Sequence, residues 1–242
     1  MNRTPELQND AAVRTADLWK VFEQEPVDVQ AVRGVTLAIR SGEFVAMAGP
    51  SGSGKTTLLN LIGGLTRPTR GDVWVAGQAL ADMPNRDLAR LRLEHVGFVF
   101  QAYNLLPVLT AFENAEFPML LRGVAEEERH RRVGQLFERT GLAGLEDRRP
   151  GKLSGGQQQR VAVIRAVAGN PALVLADEPT ANLDSVASGE LLDMMQELNR
   201  DLATTFVFAT HDPRVMDRAR RLIRLVDGAV DSDERRAPEP HR

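Results

Sequence analysis

The loop formed by residues 49–57 constrains this chain more than any other part of its sequence. It reads Gly-Pro-Ser-Gly-Ser-Gly-Lys-Thr-Thr, which fits the pattern of a glycine followed after four residues by Gly-Lys and a Ser or Thr. Such a loop joins a buried strand to a helix, because its glycines let backbone N–H groups turn inward and the helix adds a partly positive N-terminus. The flanks agree, since Phe44–Ala48 is apolar and a helix is predicted over Lys55–Ile62. The loop therefore predicts an α/β core that binds a nucleoside triphosphate.

Two side chains of this loop have specific expected tasks. Lys55 should supply positive charge to the β- and γ-phosphates, and Thr56 should place its hydroxyl on Mg²⁺. A Gly-rich turn between a strand and a helix can also be purely structural, but the fixed positions and the flanks together favour binding. The loop alone does not distinguish kinases, GTPases and transport ATPases. The predicted nucleotide-binding residues here are Gly49, Pro50, Ser51, Gly52, Ser53, Gly54, Lys55, Thr56 and Thr57.

Strand-like and helix-like segments alternate along most of the chain, which implies a largely parallel sheet with helices on both sides. Residues from about 102 to 168 break this rhythm and predict a helical subdomain, in which Glu126–Arg139 is a charged helix with an apolar stripe. We expect one domain over residues 13–230, with flexible ends at 1–12 and 231–242. Further strands are predicted at residues 35–39, 72–76, 96–100, 172–176, 205–209 and 221–226, and a further helix at 186–200.

Composition narrows the class of protein. The 242 residues carry 30 basic and 33 acidic side chains, a net charge of -3, which gives no reason to expect nucleic acid as a ligand. The absence of cysteine excludes disulfides and thiolate metal sites. The polar N-terminus lacks the apolar core of a secretory signal, and no stretch approaches the ~18 apolar residues that cross a bilayer. If the protein serves a membrane process, we expect another chain to span the membrane.

A second element is the apolar run of residues 172–176, which ends in two carboxylates, Asp177 and Glu178. A buried parallel strand would deliver Asp177 to the carboxyl edge of the sheet, where ligands bind in open α/β folds. Asp177 could then hold Mg²⁺ directly or through water, and Glu178 could accept a proton from, or orient, the attacking water. Two acids at a strand end are often merely solvated, but their pairing with the phosphate loop favours the catalytic interpretation.

A third element is Leu-Ser-Gly-Gly-Gln at residues 153–157, just before a helical run. Ser154 is a good N-cap, and the two glycines leave the helix N-terminus bare, so this is a second end that can attract an anion. By itself it could equally be a plain capped helix.

With these elements in order, the chain resembles the ABC ATPase family over nearly its whole length. Leu-Ser-Gly-Gly-Gln is the signature motif of that family. Gln101 matches the glutamine loop, Asp184 in Asn-Leu-Asp matches the aspartate loop, and His211 matches the switch histidine. A lone Gln after a strand is usually a solvated turn residue, and a lone His before Asp is more often a cap, but the shared order is far more specific. The resemblance implies a P-loop NTPase fold with a mainly parallel core sheet, an antiparallel β subdomain and a helical subdomain.

The family mechanism, carried over, implies a homodimer that packs head to tail around two ATP molecules. Each ATP would lie between the phosphate loop of one copy and the signature residues of the other. The implied cofactors are ATP and Mg²⁺. The implied catalytic residues are Glu178, His211, Gln101 and Lys55. The implied metal-binding residues are Thr56, Gln101 and Asp177, and the nucleotide residues acting across the dimer are Ser154, Gly155, Gly156, Gln157 and Asp184.

The adenine site is expected at Phe22, in the position where the family usually has a tyrosine. Phenylalanine keeps the π-face and loses only the hydroxyl, so stacking on the base should survive. Trp19 could instead be a core residue or compete for this task.

The chain resembles one branch of the family most closely, the ATPases of lipoprotein-release, macrolide-export, peptide-resistance and cell-division systems. The resemblance lies in the amino-acid sequences of residues 97–107, 153–160 and 176–180. That branch implies a peripheral protein on the cytoplasmic face of the inner membrane, with an integral membrane permease subunit as partner. Its function would be export or mechanical transmission to the cell envelope. The apolar side chains within residues 103–121 could dock a helix of that partner, or pack the helical subdomain.

Two other classes remain open from the sequence. A soluble ABC ATPase of DNA or ribosome remodelling would usually carry long coiled coils, zinc sites or two cassettes, none of which is evident here. A P-loop kinase would need an acceptor site and would not explain the signature motif.

Overall fold

A computed structural model describes residues 10–23 and 25–236 of the chain. Its central element is a six-stranded sheet in the order β10-β9-β3-β8-β7-β6. Neighbouring strands from β9 to β6 run parallel, and β10 is antiparallel to β9. The strands are β3 (Phe44–Ala48), β6 (Val96–Phe100), β7 (Leu173–Asp177), β8 (Thr205–Thr210), β9 (Arg221–Val226) and β10 (Ala229–Arg235). The predicted parallel core is confirmed.

A second sheet of four antiparallel strands has the order β2-β1-β4-β5. This confirms the antiparallel β subdomain implied by the family resemblance. Its strands are β1 (Ala11–Phe22), β2 (Val29–Arg40), β4 (Arg70–Val75) and β5 (Gln78–Ala79). The sequence analysis missed β1, because Asp17 adopts φ 44° and the register shifts between Thr15 and Leu18, which breaks the alternation of buried and exposed residues.

Helices cover both faces of the core sheet. They are α1 (Lys55–Ile62), α2 (Asn85–His95), α3 (Ala111–Leu121), α4 (Glu126–Arg139), α5 (Gly155–Ala168), α6 (Ser185–Leu202) and α7 (Pro213–Arg218), with a short 3-10 turn at Pro150–Lys152. Helix α3 begins with a capping box formed by Thr110 and Glu113. Helices α3, α4 and α5 contact one another and occupy the range predicted to be a helical subdomain. The short, polar α2 was not predicted, since only Leu88 and Leu91 are buried in it.

The two faces of the core sheet pack different layers, because successive strand residues point in opposite directions. Phe44, Phe206 and Phe208 belong to the cluster that also contains the buried residues of α3, α4, α5 and α6. Val45 and Val207 belong to a second cluster, with α1 and the antiparallel sheet. No helix within the described residues is long and apolar enough to cross a membrane.

The predicted flexible ends need correction where they overlap the described residues. Residues 11–12 are part of β1, and residues 231–235 are part of β10. The acidic tail is ordered by Arg221, which is only 5% exposed and donates to both carboxylate oxygens of Asp233 at 2.7 Å and to Glu43 at 2.8 Å. A buried guanidinium requires such partners, so residues 231–235, predicted to be part of a flexible end, are held as an edge strand by ion pairs with Arg221. Residues 1–9 and 237–242 lie outside the described part.

Candidate functional site

The phosphate loop connects β3 to α1 and is closed on itself. Lys55 Nζ donates to the carbonyl oxygens of Gly49 at 2.8 Å and Pro50 at 2.9 Å. Gly54, the N-cap of α1, adopts the left-handed conformation with φ 96°, and a Cβ there would overlap the carbonyl of Ala31. The loop therefore requires glycine at residue 54 for two independent reasons. Lys55 is the single lysine of the loop, and its ammonium group binds carbonyl oxygens of the same loop. A bound anion would compete with these carbonyls for the ammonium group.

Thr56 and Asp177 meet at the end of this loop. The Thr56 hydroxyl donates to Asp177 Oδ1 at 3.1 Å. Burial raises the pKa of Asp177, and the nearby Glu178 charge adds to this, whereas the hydrogen bond from Thr56 and the charge of Lys55 oppose it. The raised pKa shows that, among the described residues, this carboxylate lacks a positive partner sufficient to offset its burial. A divalent cation bound there would supply one.

Glu178 and His211 form the next contact along the same edge. Glu178 adopts φ 46°, which turns it away from the direction that β7 would give it. Its N–H donates to the carbonyl of Ala209 at 2.9 Å, and its Oε1 lies 2.7 Å from His211 Nδ1. The Thr210 hydroxyl donates to Glu178 Oε2 at 3.3 Å. The Glu178 side chain is 18% exposed and the His211 side chain 72% exposed, so the carboxylate is held while the imidazole faces open space.

Three amide side chains tie together the loops that follow β6 and β7. Asn182 Nδ2 donates to the carbonyl of Gln101 at 2.9 Å, and Gln101 Nε2 lies 3.4 Å from Asn182 Oδ1. Gln159, fully buried, donates to the carbonyls of Pro179 at 2.8 Å and Phe100 at 3.3 Å. Sequence reasoning assigned no task to Asn182 or Gln159, because only the folded chain brings these loops together.

One cleft of about 870 Å³ gathers most of the predicted site. Its walls include Gln101, Glu178 and His211 as well as Lys55 and the other loop residues from 51 to 57. The sequence analysis missed the opposite wall, because no local pattern marks it. That wall consists of Asp28, Val29, Gln30, Ala31, Arg33 and Asp227.

Phe22 lies beside this cleft and is 39% exposed. It pairs in the sheet with Val29, which lines the cleft, and Lys20 Nζ lies 5.0 Å from its ring centroid. Trp19 is already engaged, since its Nε1 donates to Asp17 at 2.7 Å and Arg70 lies over its ring at 4.6 Å. The arrangement favours Phe22 over Trp19 as an aromatic surface for a base.

The signature turn stands apart from the cleft. None of its residues 154–157 lines the cleft walls. Ser154 caps α5 by accepting from Gln157 N–H at 3.3 Å, while its own N–H donates to Gln157 Oε1 at 2.9 Å. Asp184 likewise caps α6, accepting from Ala187 N–H at 2.8 Å, and it too does not line the cleft. The predicted site is thus divided into a cleft and a separate exposed turn.

Comparison with known proteins identifies the fold and the family. The model of a protein family described as ABC transporter matches residues 32–181. A lipoprotein-releasing system ATP-binding protein, LolD, from Anaeromyxobacter dehalogenans is 47% identical over 231 residues, which cover 95% of each chain. A macrolide export ATP-binding/permease protein, MacB, from Syntrophobacter fumaroxidans is 44% identical over 223 residues, 91% of this chain and 31% of that protein. Both names fall within the branch predicted from the sequence.

Among solved structures, the ATP-binding cassette MJ0796, in a dimeric post-hydrolysis state bound to ADP and Pi, superposes with a TM-score of 0.84 at 39% identity. The match covers 92% of this chain and 98% of that one. The chain belongs to the ABC transporter family, as one of its ATP-hydrolysing α/β cassettes.

Proposed function

We propose that two copies of this chain bind and hydrolyse two ATP molecules between them and thereby move a separate integral membrane subunit. The complex would work in export or in mechanical transmission to the cell envelope, with the cassette on the cytoplasmic face of the inner membrane. One observation carries the proposal: the phosphate loop, Glu178 and His211 share a cleft that the signature turn does not enter. A second copy is needed to bring such a turn to the nucleotide.

When ATP binds, Lys55 would exchange its hydrogen bonds to backbone carbonyls for hydrogen bonds to phosphate oxygens. In the loop its ammonium group satisfies two backbone carbonyls. The β- and γ-phosphates are stronger acceptors for an ammonium group because they carry charge. The backbone N–H groups at the start of α1 then face the phosphates, and the partly positive helix end adds to the attraction. Phe22 would stack on the adenine at the other end of the cleft.

Mg²⁺ fits the donors present at Thr56 and Asp177. Hydroxyl and carboxylate oxygens are the ligands it prefers, and it commonly takes one or two carboxylates with the rest from phosphates and water. No cluster of three or more His, Cys, Asp or Glu suited to a metal occurs within the described residues, in keeping with a cation held largely by the nucleotide. Gln101 would complete the set from the loop after β6. When bound, Mg²⁺ would neutralise charge that develops on the phosphates.

Hydrolysis requires that a water molecule be oriented toward the γ-phosphate. Glu178 is the group suited to accept its proton, because it lines the cleft and its carboxylate is held by Thr210 and His211. His211 is the exposed member of the pair and would move to the γ-phosphate when nucleotide fills the cleft. The contact between Glu178 and His211 would then be exchanged for contacts with water and phosphate.

The second copy would supply its signature turn, residues 154–157, and its Asp184. The first turn of α5 has two glycines, so backbone N–H groups can approach a phosphate without obstruction. The dimeric state of the cassette MJ0796 with ADP and Pi supports this arrangement. Each nucleotide would thus hold two copies together until it is hydrolysed.

The membrane subunit would dock in a second cleft, of about 620 Å³, between the core sheet and the helical subdomain. Its walls are largely apolar and include Leu65, Phe98, Phe100, Pro118 and Leu121. The apolar side chains within residues 103–121 fall into two groups. Some, such as Phe112, pack against the core, whereas Leu121 is 58% exposed and could contact the membrane subunit.

The decisive experiment is the substitution Glu178→Gln. Removing the proton acceptor while keeping the shape should lower ATP turnover by about 10²–10⁴-fold, the range for loss of general-base catalysis. ATP binding should persist, and a nucleotide-bound dimer should accumulate on gel filtration. The matched control is Glu127→Gln on the exposed face of α4, which should turn over ATP normally. Ordinary turnover in Glu178→Gln would refute the assignment, and co-purification with ribosomes or DNA in place of a membrane protein would refute the transport role.

A further inference from the structure

Residues 101–104, directly after β6, touch three parts of the molecule that the proposed function uses. Gln101 lines the nucleotide cleft, and Asn104 lines the apolar cleft assigned to the membrane subunit. Tyr103, between them, reaches the signature turn. It is the only tyrosine in the chain. Residues that line the two clefts are thus within two residues of the side chain that contacts the signature turn.

The contact between Tyr103 and Gly155 is close. A Cβ added to Gly155 would lie 2.8 Å from the Tyr103 hydroxyl oxygen and 3.9 Å from Leu183 Cδ2. The phenol thus occupies the space that a side chain at the first residue of α5 would need. Leu183, in the aspartate loop, borders the same space.

The backbone that presents the phenol is unusual. Tyr103 and Asn104 adopt left-handed conformations, with φ 48° and 52°, which are unfavourable for residues other than glycine. Both of their carbonyl oxygens accept from Arg165, at 2.9 Å for Tyr103 and 2.5 Å for Asn104. Burial lowers the pKa of Arg165, as expected for a guanidinium that is partly removed from water. A strained pair of residues persists only where its surroundings hold it, and Arg165 is that support.

Arg165 also faces the apolar cleft. It lines that cleft together with Asn104 and Ala166. A group that docks there would contact the same guanidinium that holds the Tyr103 backbone.

We propose that Tyr103 is a positioning residue, which sets the signature turn for contact with the nucleotide of the second copy. The inference rests on the proposed function, since it needs the two-copy site. It adds a side chain that lines neither the nucleotide cleft nor the apolar cleft, but contacts the signature turn.

The test uses the isolated full chain in the Glu178→Gln background, with Mg²⁺ and ATP. Tyr103→Ala should raise the protein concentration needed for half-dimerisation by about tenfold, equivalent to about 1.4 kcal/mol, as measured by light scattering. Affinity for ATP in dilute monomer should not change, because the phosphate loop is untouched. Tyr103→Phe, which retains the ring, should recover most of the dimerisation. A purely structural defect would instead lower ATP affinity and thermal stability together.

A second variant pair tests the contact itself. Gly155→Ala should weaken dimerisation because its Cβ meets the phenol, and adding Tyr103→Ala should not weaken it further, since the space is then free. Glu127→Ala on exposed α4 is the control and should dimerise normally.

Equal dimerisation of Tyr103→Ala and its parent, or additive losses in the double variant, would overturn the inference alone. If the Glu178→Gln parent itself fails to dimerise with ATP, the two-copy function is what fails, and the positioning role falls with it.

Discussion

Two helix N-termini in this molecule look alike in sequence but differ in their surroundings. Helix α1 begins directly after Gly54, and α5 begins with Gly155 and Gly156, so both have glycine at the N-terminus and present backbone N–H groups to an anion. The start of α1 contacts Asp177, the last residue of β7, and shares a cleft with Glu178 and Gln101, which follow β7 and β6. The start of α5 contacts Tyr103 and Leu183 and lines no part of that cleft. One end has the chemistry for hydrolysis, and the other has only the means to hold a phosphate.

The difference shows how one chain can contribute complementary parts to two nucleotide sites, with the cleft in one site and the α5 N-terminus in the other. A phosphate in the cleft would have a lysine, metal-binding oxygens and a proton acceptor from one copy. It would still be open on the side that the α5 N-terminus of another copy could cover. ATP can then act both as substrate and as the contact between copies, and hydrolysis would release the contact.

The largest effect should follow from a charge at the exposed end. Gly156→Asp places a carboxylate where a phosphate is expected, and like charges in close contact cost several kcal/mol at each of two sites. Space is available, because a Cβ on Gly156 would lie 3.6 Å from the Ala187 Cβ, an ordinary contact. We expect no ATP-driven dimer in the Glu178→Gln background, while dilute monomer binds ATP with unchanged affinity in calorimetry.

Gly134→Asp is the matched control for this substitution. Residue 134 lies within α4, where an added Cβ would meet nothing within 4 Å. Dimerisation should remain normal in that variant. Normal dimerisation of Gly156→Asp would contradict the proposed role of the α5 N-terminus, because it would mean that no phosphate lies near residue 156 in the dimer.

The next effect concerns the enclosed end. Lys55→Ala should raise the dissociation constant for ATP about a hundredfold, since hydrogen bonds to charged groups contribute about 1.5–3 kcal/mol each and this ammonium would serve two phosphates. The measurement is calorimetric titration of monomer, with exposed Arg200→Ala on α6 as the control for lost charge. If ATP affinity survives the change, the cleft does not bind phosphate through this lysine.

The smallest effect is on stability. Because the folded-state pKa of Asp177 is raised by burial, the folded protein binds more protons than the unfolded chain between the ordinary carboxyl pKa and the raised value. Ionisation of Asp177 therefore costs stability at neutral pH, and the cost disappears as pH falls through the raised pKa. Asp177→Asn should raise the melting temperature of the metal-free protein by about 1–3 °C at neutral pH.

The same variant sharpens the metal assignment. It should lose the extra stabilisation that Mg²⁺ with ATP confers on the parent, since one anionic ligand is gone. The gain in melting temperature should shrink at acidic pH, where the parent carboxyl is protonated too. A variant that is less stable than its parent in the absence of metal would contradict the raised pKa. Glu127→Gln should leave both melting temperatures unchanged.

Local patterns in the sequence predicted those elements that depend on nearby residues. The strand Phe44–Ala48, the helix Lys55–Ile62 and the helix Glu126–Arg139 have the bounds that apolar runs and glycines indicated. The sequence was less informative where long-range partners decide. The C-terminal end, residues 231–242, was predicted to be flexible. In the structure, Arg221 is a buried partner of Asp233 and orders residues 231–235.

The sequence by itself determined the inventory of the site, because a phosphate loop, two carboxylates and a capped glycine turn each require particular residues at short spacing. Only the tertiary structure decided which of these share a cleft. Parallel strands bring Asp177 to Thr56 across 121 residues, whereas the turn at residues 154–157 stays apart. Strand pairing and the packing of helices on the sheet set these distances, and such contacts leave no pattern among neighbouring residues.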